Sequence, residues 1–556
     1  MPESNSNSRR SLRWLVFSSS TYYLYAFVAS ILAVLISLLI WNRNEALLIN
    51  VGLPLACCLT LSFALEQLLT PRPVWPWQRP GAALILHSGL CLLLFSPLLL
   101  LLQRPWFCCI SLLALQVLVV MISNAKYHSL QEPFIYQDFS YFVDAVRFPR
   151  LYLPFLGAGR ALLAGAAICI AIYGGLVVEQ PLSAVYSFRQ ISALALVLLA
   201  IGLLLMLSAR FNRLQLALDP VRDLQQLGLF ASLWGYYRAE QQPWQGAGLS
   251  SPGTAAETFV GPLPNLVVIQ SESFFDPRRW YRGITPDLLR HYDDLKQSAA
   301  SFGPLEVPAW GANTVRTEFA FLSGIANHQL GVHRFKPYRR VARQGLPTVV
   351  SCLKQQGYRT VCLHPYSATF YDRATVFPLL GFDEFIDISR FSADDYQGQY
   401  VGDLAVAREL CAELAKHDGP GTQPLFVFVI TMENHGPLHL EQARPEDGQR
   451  LVSQTLPDGS DDLIVYLRHL EQADQMLGKV QDTLAAMQRE AWLCLYGDHL
   501  PIMPQVYRQM GEPDGRVDYL VWSNHKQLDG AGMQPLAVEQ LAQELLQKAE
   551  LMQRLV

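Results

Sequence analysis

The sequence predicts two parts: an N-terminal α-helical membrane domain with several spans, and a C-terminal α/β domain whose mainly parallel sheet is flanked by helices. Of its 556 residues, 51% are hydrophobic and only 16% are charged, which is too apolar for a soluble protein of this size. The apolar runs lie before about residue 210, whereas ten of the twelve histidines follow residue 290. We therefore assign 1–210 to the membrane domain, 211–261 to an interfacial helix and linker, and 262–556 to the soluble domain.

Six apolar runs are candidate membrane spans, because a helix needs about 20 residues to cross the hydrocarbon core. The runs cover residues 22–41, 46–69, 82–102, 106–123, 160–178 and 191–209. If the short run 106–123 does not span, five helices remain. The membrane domain is therefore expected to contain five or six helices.

The charges flanking these runs leave the topology open. If all six runs span, basic residues such as Arg72, Arg79 and Lys126 would place the soluble domain in the cytoplasm by the positive-inside rule. The chemistry described below points outward instead. An odd number of spans, or an N-terminus outside the cell, would reconcile the two.

Two segments outside the apolar runs are predicted to lie at the membrane surface. Residues 126–160 mix acids, aromatic residues and leucine, which is typical of an amphipathic interface segment and is also compatible with binding of lipid headgroups. Residues 211–238 have a weak helical pattern. The stretch 241–261 is rich in Gln, Gly, Pro, Ser and Thr, which indicates a tether between the membrane and the soluble domain.

Four short apolar runs of the soluble domain are predicted to be β-strands, and each is followed by an acid or a histidine. The runs are 266–269, 359–363, 425–430 and 492–496, and the polar residues that follow are Glu272, His364, Glu433 and Asp498. Helical patterns at 346–356, 403–416 and 463–486 separate them. Alternating strands and helices predict a parallel sheet, whose ligands gather beyond the carboxyl ends of the strands.

The polar residues at these strand ends suit one divalent cation. Two carboxylates, Glu272 and Asp498, an imidazole, His499, and a hydroxyl, Thr314, form a ligand set for manganese, zinc or magnesium. A metal at Thr314 would help its hydroxyl to ionise, so that Thr314 could act as a nucleophile.

Thr314 is predicted to begin a helix, since the turn-forming residues Gly311 and Asn313 precede it and an apolar pattern follows. Its oxygen would lie near the unpaired N–H groups of the helix start, which favour negative charge. We expect the hydroxyl at the surface of the domain, where it adds little to packing. The alternative is that Thr314 only caps the helix.

Three further side chains are predicted to hold phosphoryl oxygens of a substrate. His364 and His435 would donate from their imidazoles, and Arg373 from its forked guanidinium. For either histidine, a role in the core or at the surface is the simpler alternative.

The remaining composition excludes several classes of site. Six of the ten cysteines lie in the apolar runs, and the other four lack CxxC spacing, so neither a zinc knuckle nor a redox pair is indicated. Cys352 and Cys362 could pair in an oxidising compartment, but buried free thiols are favoured. A net charge of −4 does not indicate a basic surface for binding nucleic acid.

Taken in order behind a multi-span anchor, five segments resemble the lipoteichoic acid synthase family. These segments are Asn265 to Ser273, Gly311 to Phe319, His364 to Arg373, Glu433 to His435, and Gly497 to Pro501. The members of that family are membrane phosphoglycerol transferases of the alkaline phosphatase and sulfatase superfamily, and they include transferases that modify bacterial glucans. The resemblance covers the soluble domain and, loosely, the membrane part.

The resemblance implies a site and a reaction. Glu272, Thr314, Asp498 and His499 match the metal ligands of the family, manganese being the metal expected first, and Thr314 matches its covalent nucleophile. His364, Arg373 and His435 match residues that hold the phosphoglycerol group, and Tyr371 falls where the lipoteichoic acid enzymes carry a tryptophan.

The implied donor is phosphatidylglycerol, which would leave its phosphoglycerol on Thr314 and release diacylglycerol. The acceptor would be a hydroxyl of an envelope glycan or of a growing glycerol-phosphate chain. The resemblance further implies a multi-pass protein of the bacterial inner membrane, with its sulfatase-like catalytic domain, 262–556, facing the periplasm or the exterior.

Three rival functions follow from the same residues. A phosphoethanolamine transferase would share the fold, the metal and the threonine, and would differ only in its headgroup pocket and acceptor. A sulfatase would require a cysteine or serine in a C/S-x-P-x-R sequence, and none of the four cysteines of the soluble domain lies in one. From a different class, a non-catalytic lipid-sensing protein could be built on the same fold.

Overall fold

The computed structural model describes residues 45–141, 158–209, 214–244, 246, 262–419, 421–525 and 532–552. These residues form two compact units, which divide between Gln241 and Gln242. The predicted span at 22–41 lies outside the described residues, as do 142–157 of the predicted interface segment and 247–261 of the predicted tether.

The first unit consists of helices. They are α1 (Glu45–Leu65), α2 (Gly81–Leu102), α3 (Pro105–Leu130), α4 (Ala158–Val177), α5 (Phe188–Ala209), α6 (Pro220–Leu227) and α7 (Leu229–Glu240). Within the described ranges, the helices long and apolar enough to cross a membrane number four. They are Ala46–Leu68, Gly81–Leu102, Pro105–Leu130 and Phe188–Ser208.

The helix that contains the apolar run 106–123 is longer than predicted, because α3 continues to Leu130. The polar residues that end the apolar run are bonded inside the unit. Asn124 accepts the backbone N–H of Thr70 through Oδ1 at 2.7 Å, and the ammonium of Lys126 pairs with Glu132 and Asp138. Because these polar side chains have partners, the helix can continue through them, although the hydropathy pattern predicts that it ends there.

Helices α2 and α5 approach closely where each carries a glycine. A Cβ added at Gly89 would lie 3.2 Å from the carbonyl oxygen of Gly202, and one at Gly202 would lie 3.1 Å from that of Gly89. Small residues allow membrane helices to gain van der Waals contact between their backbones. This pair therefore sets the spacing of the two spans.

A buried carboxylate fixes helix α7 against the end of α1. Glu66 Oε1 accepts the backbone N–H groups of Leu229 at 2.8 Å and Phe230 at 3.3 Å, which are unpaired donors at the start of α7. The other carboxylate oxygen pairs with Arg79. The weak helical pattern of 211–238 thus corresponds to α6 and α7, and Glu66 determines where α7 begins.

The second unit contains an eight-stranded sheet and a small hairpin. The strands are β1 (Asn265–Ser271), β2 (Ser301–Glu306), β3 (Arg359–Leu363), β4 (Glu384–Ile386), β5 (Tyr396–Gln397), β6 (Tyr400–Val401), β7 (Leu425–Ile430), β8 (Ala491–Gly497), β9 (Val517–Ser523) and β10 (Leu536–Ala537). The order in the large sheet is β10-β2-β9-β8-β1-β7-β3-β4, and β5 pairs with β6.

The helices of this unit cover the sheet. They are α8 (Arg290–Gln297), α9 (Thr314–Ser323), α10 (Pro337–Arg340), α11 (Val349–Gln355), α12 (Arg373–Leu380), α13 (Asp403–Ala415), α14 (Pro445–Leu451), α15 (Asp461–Ala486), α16 (Pro504–Met510) and α17 (Val538–Lys548). Every residue of β1, β7, β8 and β9 is buried, as expected for strands with both faces covered.

The predicted fold class is confirmed, with one difference in strand direction. The four predicted strands are β1, β3, β7 and β8, which are parallel neighbours at the centre of the sheet. Strand β9, which the sequence patterns did not single out, runs antiparallel between β2 and β8. Strand direction depends on how a connection returns to the sheet, and hydrophobic patterning does not record that.

Cys352 and Cys362 do not form the disulfide considered above. All ten cysteines are free, and Cys362 is fully buried in β3. The favoured interpretation, buried free thiols, holds for Cys362 and Cys494, whereas Cys352 and Cys411 are half-buried.

Candidate active site

The carboxyl ends of β8, β1, β7 and β3 lie side by side, because these four strands are consecutive and parallel in the sheet. Glu272 directly follows β1, and Asp498 directly follows β8. The loop after β7 carries Glu433 and His435, and His364 directly follows β3. The topology therefore brings to one edge of the sheet the polar residues that the strand patterns predict there.

Three of the predicted metal ligands converge. Glu272, Asp498 and His499 each offer one ligand atom, and these atoms lie within 4.8 Å of one another. His499 Nε2 is 3.5 Å from Glu272 Oε1 and 3.3 Å from Asp498 Oδ2. All three residues are at most 3% exposed.

The donor set fits a divalent cation. Asp498 Oδ2 and His499 Nε2 are buried atoms with no hydrogen-bond partner among the residues that the structure describes. Burial, and next the charge of Asp498, raise the pKa of Glu272, because two carboxylates crowd an apolar environment. A cation between them would offset this repulsion, and two carboxylates with an imidazole suit zinc, manganese or magnesium.

Ser273, to which no role was assigned from the sequence patterns, contacts all three of these side chains. Its backbone N–H donates to Asp498 Oδ1 at 2.9 Å, and its hydroxyl donates to Glu272 Oε1 at 3.0 Å. The hydroxyl also lies 3.3 Å from His499 Nδ1. The backbone of Ser273 is left-handed, with φ of 56°, which allows both groups to face the site.

The tautomer of His499 follows from its second ring nitrogen. Nδ1 lies 3.0 Å from the carbonyl oxygen of Leu500, which can only accept, so Nδ1 carries the proton. The lone pair of Nε2 is then left to face Glu272 and Asp498. A second hydrogen bond of this kind commonly orients a histidine that binds a metal.

Thr314 is the first residue of α9, as predicted, and Asn313 before it has the left-handed φ of 71°. The expected surface position is wrong, because Thr314 is only 7% exposed and all ten residues of α9 are buried. Thr317, one turn later, donates its hydroxyl to the backbone carbonyl of Asp498 at 2.7 Å. The first turn of α9 therefore lies against the loop that carries two of the predicted ligands.

Arg373, the first residue of α12, is held by a carboxylate of α9. Its Nε donates to Glu318 Oε1 at 3.1 Å and its Nη2 to Glu318 Oε2 at 2.7 Å, and both residues are at most 1% exposed. Glu318 lies four residues after Thr314, on the same face of α9. That spacing is the signal that could have identified Glu318 from the sequence.

The contacts of His364 differ from its predicted role as a donor. Its Nδ1 donates to the carbonyl of Ile430 at 3.1 Å, and its Nε2 accepts from Arg373 Nη1 at 3.2 Å. Burial, and next the charge of Arg373, lower the pKa of His364 well below its ordinary value, so the ring stays neutral. In this arrangement His364 positions Arg373, whose guanidinium has further N–H groups.

Tyr371 and His435 complete the predicted set. The ring of Tyr371 lies 5.2 Å from the guanidinium carbon of Arg373, a cation–π contact, and its backbone is left-handed with φ of 55°. His435 donates from Nδ1 to the carbonyl of Gly436 at 2.7 Å and packs against the ring of Tyr400. Burial lowers its pKa, so the neutral ring offers Nε2 as an acceptor.

A buried pair of acids in the same region was missed by the sequence reasoning. Asp403, the first residue of α13, donates its backbone N–H to Glu433 Oε2 at 2.6 Å, and both side chains are at most 2% exposed. Burial raises the pKa of both carboxyl groups. The pair therefore retains a proton at neutral pH, which a sequence pattern cannot indicate.

Comparison with known proteins identifies relatives of both units. The sulfatase family model matches residues 264–552. The capsular polysaccharide biosynthesis protein RkpI of Rhizobium meliloti is 29% identical over 448 residues, which cover 75% of this chain and 77% of that protein. Lipoteichoic acid synthase 1 of Bacillus subtilis is 25% identical over 181 residues, which cover 32% of this chain and 27% of the synthase.

A solved structure shares the overall layout. The integral membrane protein lipooligosaccharide phosphoethanolamine transferase A from Neisseria meningitidis aligns with a TM-score of 0.50 and 13% identity, covering 84% of this chain and 87% of that one. At this identity the likeness shows a common fold. The resemblance to lipoteichoic acid synthases and their superfamily is confirmed. Because the family model spans more than half of the 556 residues, the chain belongs to the sulfatase family.

Proposed function

We propose that this protein is a membrane-bound transferase that moves phosphoglycerol from phosphatidylglycerol to a hydroxyl of an envelope glycan or glycerol-phosphate chain. The observation that carries the proposal is the convergence of Glu272, Asp498 and His499 beside the first turn of α9, which begins at Thr314. A site anchored to membrane spans can reach a lipid headgroup without extracting the lipid from the bilayer.

Glu272, Asp498 and His499, with Thr314 as the fourth ligand, would hold one divalent cation, manganese first, with zinc or magnesium as alternatives. The cation would lower the pKa of the Thr314 hydroxyl and balance negative charge on the phosphoryl oxygens. Ser273 would keep the carboxylates and the imidazole in place through the hydrogen bonds described above.

In the first step, the oxygen of Thr314 attacks the phosphorus of the headgroup. The bond between phosphorus and the diacylglycerol oxygen breaks, and that oxygen takes up a proton while Thr314 has lost its own. The free N–H groups of Arg373 face the phosphoryl oxygens, and Glu318 and His364 hold the guanidinium in position.

In the second step, the hydroxyl of the acceptor attacks the phosphorus of phospho-Thr314. The bond from phosphorus to the threonine oxygen breaks, the acceptor loses its proton and Thr314 regains one. The neutral His435 offers Nε2 to a hydroxyl of the glycerol or of the acceptor, and Tyr371 would border the glycerol end.

This function implies a place in the cell. Both the phospholipid donor and a glycan acceptor are available at the outer surface of a bacterial inner membrane. We therefore propose a multi-pass inner-membrane protein whose catalytic domain faces the periplasm or the cell exterior.

Mass spectrometry of the purified full-length protein tests the proposal. After incubation with phosphatidylglycerol and Mn²⁺, we expect a phosphoglycerol adduct on Thr314 and release of diacylglycerol. Thr314→Ala should show neither, while its thermal unfolding stays close to that of the wild type. Thr375→Ala, an exposed threonine of α12, is the matched control and should retain the adduct.

The same experiment separates the rival functions. A phosphoethanolamine adduct formed from phosphatidylethanolamine, with none from phosphatidylglycerol, would replace the proposed donor but keep the mechanism. Unchanged release of diacylglycerol by Thr314→Ala would remove the mechanism. If neither lipid is cleaved by the wild type with any of the three metals, the non-catalytic lipid-sensing protein becomes the better account.

A further inference from the structure

The helical unit contains a cavity of about 450 Å³ between the spans and helix α7. This volume falls within the range of about 300–1,000 Å³ typical of small-molecule sites. Its wall is built from α1, α2 and α3 on the side of the spans, and from α7 and the segment around Tyr136 on the other. It is separate from the site described above, since all its lining residues belong to the first unit.

The cavity extends along helix α3. On α3 its lining extends from Val119 to Leu112, a rise of about 10 Å at roughly 1.5 Å per residue. At one end it is closed by α7, which presents Phe230, Trp234 and Tyr237 on one helical face. This cavity, called the slot below, therefore extends along α3, the direction in which acyl chains cross the hydrocarbon core.

The polar side chains in the spanning part of the wall are already bonded to the protein. Ser62 Oγ pairs with His87 Nε2 at 2.8 Å, and Gln116 donates from Nε2 to the backbone carbonyl of Ser62 at 2.8 Å. Cys58 and Cys91, which also line the slot, behave as small hydrophobes. The wall therefore provides little hydrogen bonding for water, and it favours an apolar ligand.

The end at α7 has the character of a membrane interface. Tyr136 lies 5.0 Å from Tyr237 and 5.9 Å from Phe139, and Trp234 lies 5.3 Å from Tyr237, all between ring centroids. Tyrosine and tryptophan concentrate at the level of lipid headgroups. The wall also includes Leu94 and Leu115, which are 38% and 53% exposed, so the cavity is open to the surface of the helical unit between spans.

We propose that this slot binds one acyl chain of the donor phospholipid, with its headgroup at the aromatic end; the identity of the lipid as donor rests on the proposed function. Phe230, Trp234 and Tyr237 would then border the headgroup, and the bonded polar groups of the wall would leave the chain in apolar surroundings.

Photocrosslinking tests this inference independently of catalysis. The full-length protein is reconstituted in vesicles that contain phosphatidylglycerol with a diazirine on one acyl chain, irradiated, digested and mapped. We expect adducts on peptides of α2 and α3 that line the slot. Leu94→Trp and Leu115→Trp, which place a larger side chain in its partly exposed wall, should lower the adduct yield about tenfold, the effect of losing burial of about two methylene groups.

Leu101→Trp is the matched control, because Leu101 lies on α2, is 77% exposed and does not line the cavity. It should leave the adducts unchanged. In the transfer assay, Leu94→Trp should raise KM for long-chain phosphatidylglycerol about tenfold with little change in kcat, the signature of lost binding. A short-chain phosphatidylglycerol that cannot fill the slot should not distinguish Leu94→Trp from the wild type.

The outcomes separate this inference from the proposed function. Adducts in the slot without any transfer by the wild type would support the slot and overturn the proposed donor. Normal transfer with adducts outside the slot, or with adducts that Leu94→Trp leaves intact, would overturn the slot. A crosslink from the slot to a second copy of the chain would also overturn it, because the occupant would then be a helix.

Discussion

The hydroxyl of Thr317 donates a 2.7 Å hydrogen bond to the backbone carbonyl of Asp498. This bond joins the first turn of α9, which begins at Thr314, to the loop that carries Asp498 and His499. Thr317 is fully buried and three residues from the proposed nucleophile. It therefore acts as a positioning residue, which sets the distance between the threonine oxygen and the predicted metal site.

Replacing Thr317 by valine keeps the shape of the side chain and removes this bond. The buried carbonyl of Asp498 would lose a partner, at a cost of about 1–3 kcal/mol in stability. We expect kcat for headgroup transfer to fall about tenfold or more, because small misplacements of reacting groups are costly. KM should change little, since Thr317 does not touch the substrate.

Thr483→Val is the control for Thr317→Val. The hydroxyl of Thr483 donates to the carbonyl of Lys479 within its own helix, α15, far from the strand ends that form the site. If both variants lose stability equally and neither changes kcat, Thr317 has only a structural role.

Metal binding should depend on His499. Because Asp498 Oδ2 and His499 Nε2 have no hydrogen-bond partner in the described part of the chain, Mn²⁺ should stabilise the wild type by about 2.7 kcal/mol at a concentration of 100 Kd. Differential scanning calorimetry and metal analysis after dialysis measure this directly. His499→Ala should lose both the bound metal and the Mn²⁺-dependent rise in Tm.

His525→Ala is the matched control for His499→Ala, since His525 is an exposed histidine just after β9. It should keep both the metal and the rise in Tm. An equal Mn²⁺-dependent shift in His499→Ala would show that the cation binds elsewhere.

The sequence was sufficient for the centre of the fold. The β-branched and aromatic runs that form β1, β3, β7 and β8 are continuous because both faces of these strands are buried. Strand β9 was not singled out, and its antiparallel direction depends on its connections rather than on its own pattern. Likewise α3 extends past the end of its apolar run, because Lys126 pairs with Glu132 and Asp138, which follow the helix, and a hydropathy pattern does not record such pairing.

The candidate site could be predicted to the same extent as the fold. Glu272, Asp498 and His499 could be predicted because each lies within two residues of a strand end, and parallel strands bring their carboxyl ends together. The contacts of His364 could not be predicted, because they depend on the guanidinium of Arg373, nine residues away, and on the carbonyl of Ile430 in β7. Residues that act through others, such as Ser273 and Thr317, have no pattern of their own.

Variants of the buried ion pair between Glu318 and Arg373 can separate a role of Arg373 in substrate binding from a role in folding. Glu318→Gln would leave the guanidinium of Arg373 buried without its counter-charge, and breaking such a pair costs about 3–5 kcal/mol. A double variant, Glu318→Leu with Arg373→Met, should recover much of that stability, because apolar replacements of buried pairs are often tolerated.

Activity should not recover with stability in that double variant, since Arg373 is proposed to hold the phosphoryl oxygens. The measurement is thermal unfolding together with headgroup transfer for the wild type, the single variant and the double variant. Restored transfer in the stable double variant would show that Arg373 serves only the core.

The last prediction concerns Glu433, whose pKa is raised to about 9, chiefly by burial and next by the charge of Asp403. Between its ordinary value near 4.5 and about 9, the native protein binds a proton at Glu433 that the unfolded chain does not. The stability contributed by this group is therefore fully present at low pH and is lost as the pH rises through that window, by at most about 1.4 kcal/mol per pH unit.

Glu433→Gln should remove this dependence, because the amide copies the protonated acid and its oxygen can still accept the N–H of Asp403. We expect Tm values of the variant and the wild type to be similar at pH 4, below the ordinary pKa of the acid, and the variant to become the more stable as the pH rises toward 9. Glu446→Gln, an exposed glutamate in α14, should follow the wild type at every pH. If Glu433→Gln also follows the wild type up to pH 9, the acid ionises at its ordinary pKa and the pair does not retain a proton at neutral pH.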